Sequence, residues 1–134
     1  MNYRGVFFDF DYTLGDSTDA IAQGYRAGFA ALGLPKPTVE QVRTTVGYQL
    51  GDGYTLLTGD RDEGRRQTFA HQFHITVGTQ ATGAGRRLMI EGTRLLPGAA
   101  ELLSALKGAG VRPAIVSTKP GATIRQIFAY QGHL

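Results

Sequence analysis

Gly5-Val6-Phe7-Phe8-Asp9-Phe10-Asp11-Tyr12-Thr13-Leu14 is the stretch on which the fold turns. Its first half is short, aromatic-rich and nearly continuous in apolar residues. That is the pattern of a strand buried on both faces, as in a parallel sheet. Its second half, running on through Gly15-Asp16, is loop chemistry. Asp9 and Asp11 stand at i and i+2, so in extended chain they project to one side, about 7 Å apart. At the carboxyl end of a buried parallel strand they face the crevice where open α/β sheets bind ligands. Two carboxylates so placed repel unless a cation or a proton sits between them. Mg2+ suits such a place, because it takes a few hard oxygens and keeps several waters. One carboxylate could attack phosphorus while the other handles a proton. On spacing alone, turn and cap duties explain the pair as well as chemistry does, since Asp is common at strand ends.

Downstream, the apolar period changes from two to that of a helix. Ser17 reads as an N-cap, and Ile21, Tyr25, Phe29 and Leu32 form one stripe of an amphipathic helix stopped by Gly33. Thr38 with Gln41 has the form of a capping box, opening a helix that carries Val39, Val42 and Val46. Residues 51–59 read as a short helix, and Asp60 with Glu63 as another helix start leading to a face of Phe69, Phe73 and Val77. A loop and a short helix around Arg86–Glu91 follow. Leu95-Leu96-Pro97-Gly98 breaks the chain, Ala99–Lys107 is a helix, and Val111–Val116 is a second strand ending in Ser117-Thr118-Lys119. Pro120 suits the first position of a last helix whose buried face is Ile124, Ile127 and Phe128. A strand that follows a helix in this way implies a parallel pair. Two parallel strands are too few for a stable sheet, so part of the sheet is expected to come from elsewhere.

Composition narrows the functional classes. The chain has 134 residues and no cysteine, which excludes disulfides, thiolate metal sites and cysteine nucleophiles. Its 19 glycines show no three-residue period, so a collagen-like chain is excluded. The net charge of +3 comes from scattered side chains without a like-charged run or an aromatic–basic ladder. Nucleic-acid binding is therefore not expected, and a small anionic substrate is. No apolar stretch approaches the length of a membrane span and the start lacks a signal-peptide profile, so a cytoplasmic protein is expected. His71 and His74 lie at i and i+3, which fits a solvated helix face better than a metal site lacking a third ligand.

Val6 to Leu14 with Asp16-Ser17, including the Asp-x-Asp-x-Thr constellation ending at Thr13, resembles the first motif of the haloacid dehalogenase superfamily of phosphatases. Leu96-Pro97-Gly98 with its helix, Gly110, and Ile115 to Pro120 resemble that family's second-motif region. Order and spacing resemble the phosphoglycolate-phosphatase-like members. The resemblance implies an α/β, Rossmann-like core, here incomplete, from residues 1–16 and 95–134, with an inserted α-helical cap over 17–94. It implies that Asp9 is the nucleophile forming an aspartyl-phosphate. Asp11 would be the general acid and then the general base, and Mg2+ would be held by Asp9 and by the backbone carbonyl of Asp11. Thr13, Ser117, Thr118 and Lys119 would form the phosphate-binding set. The second acid, Asp11, argues for phosphate esters over halo-acids, and Tyr12 stands where the family more often has glycine. The turn Gly47-Tyr48-Gln49-Leu50 and one of Arg86 or Arg87 are candidates for substrate contact from the cap, although exposed cap surface accounts better for each arginine. The family's third-motif lysine and fourth-motif acids have no counterpart in this sequence. The expectation is therefore a phosphatase for a small phosphorylated metabolite, present as part of a longer polypeptide or as a homo-oligomer pairing its unfinished sheet. The alternatives are a β-phosphoglucomutase-like phosphotransferase and a catalytically inactive, truncated relative.

Overall fold

The computed structural model describes residues 4–78 and 88–132. The chain divides into two compact units, Met1–Asp16 with Arg94–Leu134, and Ser17–Thr93. The first is a partial α/β unit and the second is helical.

In the first unit, β1 (Gly5–Phe8) pairs in parallel with β4 (Arg112–Ile115), and β2 (Gly15–Asp16) pairs antiparallel with β3 (Arg94–Leu95). Helices α6 (Ala99–Gly108) and α7 (Gly121–Tyr130) flank β4 in the chain. The register Phe7↔Ala114 and Phe8↔Ile115 gives the parallel pair expected from the strand–helix–strand order. The expectation of burial on both faces fails. Phe7 is 76% exposed and Val116 65%, and alternation along the parallel strands places both on one face. A two-stranded sheet has one neighbour per strand, and among the described residues nothing covers that face. Phe10, just beyond β1, is buried edge-on to Phe128 with ring centroids 6.1 Å apart.

The break before α6 is a tight turn. Ala99 N–H donates to Leu96 C=O, and Gly98 sits at φ 84°, ψ −9°, the place in a type II turn that favours glycine. The helix ends in a Schellman motif. Val111 N–H returns to Leu106 C=O and Gly110 N–H to Lys107 C=O, aiming the chain into β4. Pro120 lies one place earlier than expected, as the N-cap of α7 with ψ 139°.

The second unit holds α1 (Thr18–Ala31), α2 (Val39–Arg43), α3 (Leu50–Thr58), α4 (Glu63–Val77) and α5 (Leu88–Glu91). Its core is aromatic: Tyr25 and Phe29 of α1, Tyr54 of α3, and Phe69 and Phe73 of α4. Gly24 and Gly28 let α4 come close to α1, because a Cβ there would lie 2.4 Å from the rings of Phe73 and Phe69 respectively. The Thr38–Gln41 capping box forms with both bonds present. The helix after it is shorter than expected and leaves Val46 in a turn. Thr44 and Thr45 donate their hydroxyls to Gln41 C=O and Val42 C=O at 2.6 Å, and this local bonding competes with helix propagation. Ser17 is the N-cap by position, but its hydroxyl does not cap. It bonds the Thr93 hydroxyl at 2.6 Å instead. Helix α4 starts from Asp62, which accepts the Arg65 N–H, and not from Asp60. Asp60 is the acceptor for Tyr54 Oη and for both Nε and an NH2 group of Arg65, so it closes the α3–α4 connection.

Candidate active site

The parallel register decides where the acids go. Val116 N–H donates to Phe8 C=O at 2.8 Å, so β1 and β4 end level with each other. Asp9 therefore leaves the sheet level with Val116, the residue before Ser117, at the carboxyl edge of both strands. After Asp9 the chain coils around one carbonyl, with Phe10 C=O accepting from the N–H groups of Thr13, Leu14 and Gly15 at 2.8–3.1 Å. Tyr12 N–H donates to Gly15 C=O, and Tyr12 adopts φ 61°, the left-handed region. The buried Phe10 ring anchors this coil, and Gly15 is obligatory beneath it because a Cβ would sit 2.6 Å from the ring.

The two carboxylates end in different surroundings. Asp9 is exposed. Asp11 is largely buried, with 11% of its side chain accessible, and its Oδ1 lies 3.5 Å from Lys119 Nζ, whose side chain is 6% accessible. That distance is long for a hydrogen bond, and Oδ1 makes none. Burial pushes the Asp11 carboxyl above its ordinary value of 3.8; Lys119 opposes this and Asp9 adds to it. Burial pulls the Lys119 ammonium below its ordinary value, and Asp11 opposes that shift. The Lys119 ammonium also stands 6.0 Å from the Phe10 ring centroid.

Ser117 is half-buried and its oxygen accepts the Lys119 N–H at 3.1 Å. A hydroxyl used as an acceptor keeps its proton to donate, which suits an anionic ligand. Thr13 and Thr118 are exposed. The site thus brings Asp11 and Lys119 into direct contact, puts Asp9 within electrostatic reach of Asp11, and holds Ser117 on the adjoining turn. Sequence reasoning missed the Asp11–Lys119 pair. It placed Lys119 with the phosphate ligands, although both residues follow strands that the reading already paired in parallel.

An exposed carboxylate beside a buried one fits Mg2+, which binds through one or two carboxylates and retains water. Among the described residues no group of three or more His, Cys, Asp or Glu side chains forms a fuller metal site. His71 and His74 are exposed on α4. Tyr48 is exposed, and Gln49 lines an open cavity of about 320 Å3 in the helical unit together with Asp52, Glu63, Arg66 and Gln67. Arg66 is the centre of that group, paired with Asp52 at 2.9 Å and donating to Thr55 Oγ1 at 2.7 Å. Arg86 and Arg87 lie outside the described residues.

Residues 6–132 match the haloacid dehalogenase-like hydrolase family, and the chain belongs to it. A Bacteroides fragilis protein described as haloacid dehalogenase-like superposes with a TM-score of 0.85 at 28% identity, over 99% of this chain and 59% of its own. Among curated relatives, a 5'-nucleotidase of Pseudomonas aeruginosa is 28% identical over 99% of this chain and 58% of its own length. Phosphoglycolate phosphatase 1 of the same organism is 30% identical over 87% of this chain and 42% of its own length. The chain thus spans about half the length of the curated relatives it matches. No helix among the described residues is long and apolar enough to cross a membrane.

Proposed function

We propose that the protein is a Mg2+-dependent phosphatase acting on a small phosphate monoester of the kind its relatives' names describe, a phosphorylated hydroxy acid or a nucleoside 5'-monophosphate. The observation that carries this reading is the level ending of β1 and β4, which sets Asp9, Asp11, Ser117 and Lys119 at one sheet edge.

The exposed Asp9 carboxylate is the nucleophile. One of its oxygens forms a bond to phosphorus, and the bond from phosphorus to the ester oxygen breaks. Asp11 gives its proton to the departing alkoxide, a role favoured by the raised affinity for protons that burial confers. Water then attacks the aspartyl-phosphate, Asp11 takes back a proton, and inorganic phosphate leaves with Asp9 restored. The Ser117 hydroxyl and the backbone N–H groups ahead of α7 hold the transferring group. Mg2+, held by the Asp9 carboxylate and the Asp11 carbonyl, would neutralise charge on the phosphoryl oxygens. The helical unit serves as the cap that selects substrate and excludes water, and the protein works in the cytoplasm.

Hydrolysis of p-nitrophenyl phosphate with Mg2+ tests the reading. The Asp9→Asn variant is expected to lose at least about a thousandfold in kcat, the scale on which loss of a covalent nucleophile acts. Retention of the wild-type rate by Asp9→Asn would refute the nucleophile assignment.

A further inference from the structure

We infer that Lys119 is the counter-ion and positioning residue of Asp11, and that it is not a ligand of the substrate phosphate. Three observations carry this. The ammonium lies 3.5 Å from Asp11 Oδ1, with both side chains almost wholly withdrawn from solvent. Oδ1 has no hydrogen-bond partner, so the ammonium is what compensates its charge. The turn that carries Lys119 is tied by its own N–H to Ser117 Oγ, and Lys119 stands 6.0 Å from the centroid of the buried Phe10 ring.

A phosphate-binding lysine presents its donors to the open edge of the sheet. Here that edge has the half-buried Ser117 and the exposed Thr118, and the ammonium faces inward. An ammonium held against a buried carboxyl of its own chain is directed at that partner and not at the open edge. Its effect is on Asp11. The ion pair at Oδ1 holds the Asp11 carboxyl in place. The metal is then left to the Asp9 carboxylate and the Asp11 carbonyl. The pairing stands on geometry alone; its catalytic consequence rests on the phosphatase reading.

The test compares the 134-residue wild type with Lys119→Met, Asp11→Asn and the double variant. Removing one partner of a buried pair strands the other, whereas removing both does not. Each single change is expected to lower the urea midpoint, and the double variant to recover at least about half of the summed loss. Strictly additive losses would overturn the pairing. If a single variant does not fold, Lys119→Arg, which keeps the charge, takes its place: a midpoint near wild type supports the pair, and one as low as that of Lys119→Gln refutes it.

Inorganic phosphate binding separates the two roles. Lys119→Met is expected to weaken it about tenfold, because a lone Asp11 carboxylate repels phosphate. The double variant is expected to bind within about threefold of wild type. A double variant as weak as Lys119→Met would make Lys119 a phosphate ligand and refute the inference. With p-nitrophenyl phosphate, Lys119→Arg is expected to keep kcat within about threefold, and the neutral Lys119→Gln to lose about tenfold. Equal kcat values for the two would remove the positioning role. Should wild type neither bind phosphate nor hydrolyse ester, the phosphatase reading fails, and the unfolding cycle still decides the pair.

Discussion

Asp60 and Asp11 show how one residue type takes opposite character from its neighbours. The Arg65 guanidinium, followed by the Tyr54 hydroxyl and the Asp62 N–H, holds the Asp60 carboxyl well below its ordinary value of 3.8. Burial moves Asp11 the other way. For Asp60 the sign of the linkage follows directly. A carboxyl depressed on folding adds stability above its unfolded pKa, and that stability drains away as pH falls from about 4 towards the depressed value. Asp60→Asn is therefore expected to lower the melting temperature at neutral pH and to flatten its acid dependence below pH of about 4. Thermal scans across that range check it, and an unchanged acid slope would count against the Arg65–Asp60 linkage. Asp60 was legible in the sequence only as a helix-start residue. Its true partners are five and six positions away, on the two helices α4 and α3, whose relative placement spacing does not reveal.

At the scale of elements, the contact between α1 and α4 depends on the absence of side chains at Gly24 and Gly28. The apolar stripe of α1 was readable from period, because Tyr25 and Phe29 recur every four residues. The glycines beside them carry no hydropathy signal, yet they accept the Phe73 and Phe69 rings. Gly24→Ala is expected to destabilise the helical unit by about 1–3 kcal/mol through overpacking, despite the better helix propensity of alanine. A chemical-denaturation midpoint that rises in Gly24→Ala would show that the rings have room to move. The short α2 is the reverse case, in which side-chain hydroxyls of Thr44 and Thr45 override an apolar period that pointed to a longer helix.

For the whole molecule, the two units differ in how far each accounts for its own core. The clustered buried residues of the helical unit all fall within 17–93. Among the described residues, the α/β unit leaves one face of its parallel pair bare, with Phe7 76% exposed. A fragment of residues 17–93 is therefore expected to fold alone, with a helical circular-dichroism spectrum and a cooperative thermal transition. A featureless, non-cooperative melt would show that its core needs the other unit.

Local chemistry settled a good part of this protein in advance. An apolar run ending in Asp9 and Asp11, a second ending in Ser117, the Thr38 capping box and the turns at Gly33, Gly98 and Gly110 all act through neighbours a few residues apart, and such interactions are written in the order of residues. Long-range pairing settled the rest. Whether Asp11 meets an ammonium, which carboxylate is buried, what Ser17 bonds and which glycines admit a ring depend on segments tens of residues apart meeting at fixed register. That register comes from the β1–β4 hydrogen bonds and the packing of helix on helix, whose geometry no stretch of the chain contains by itself.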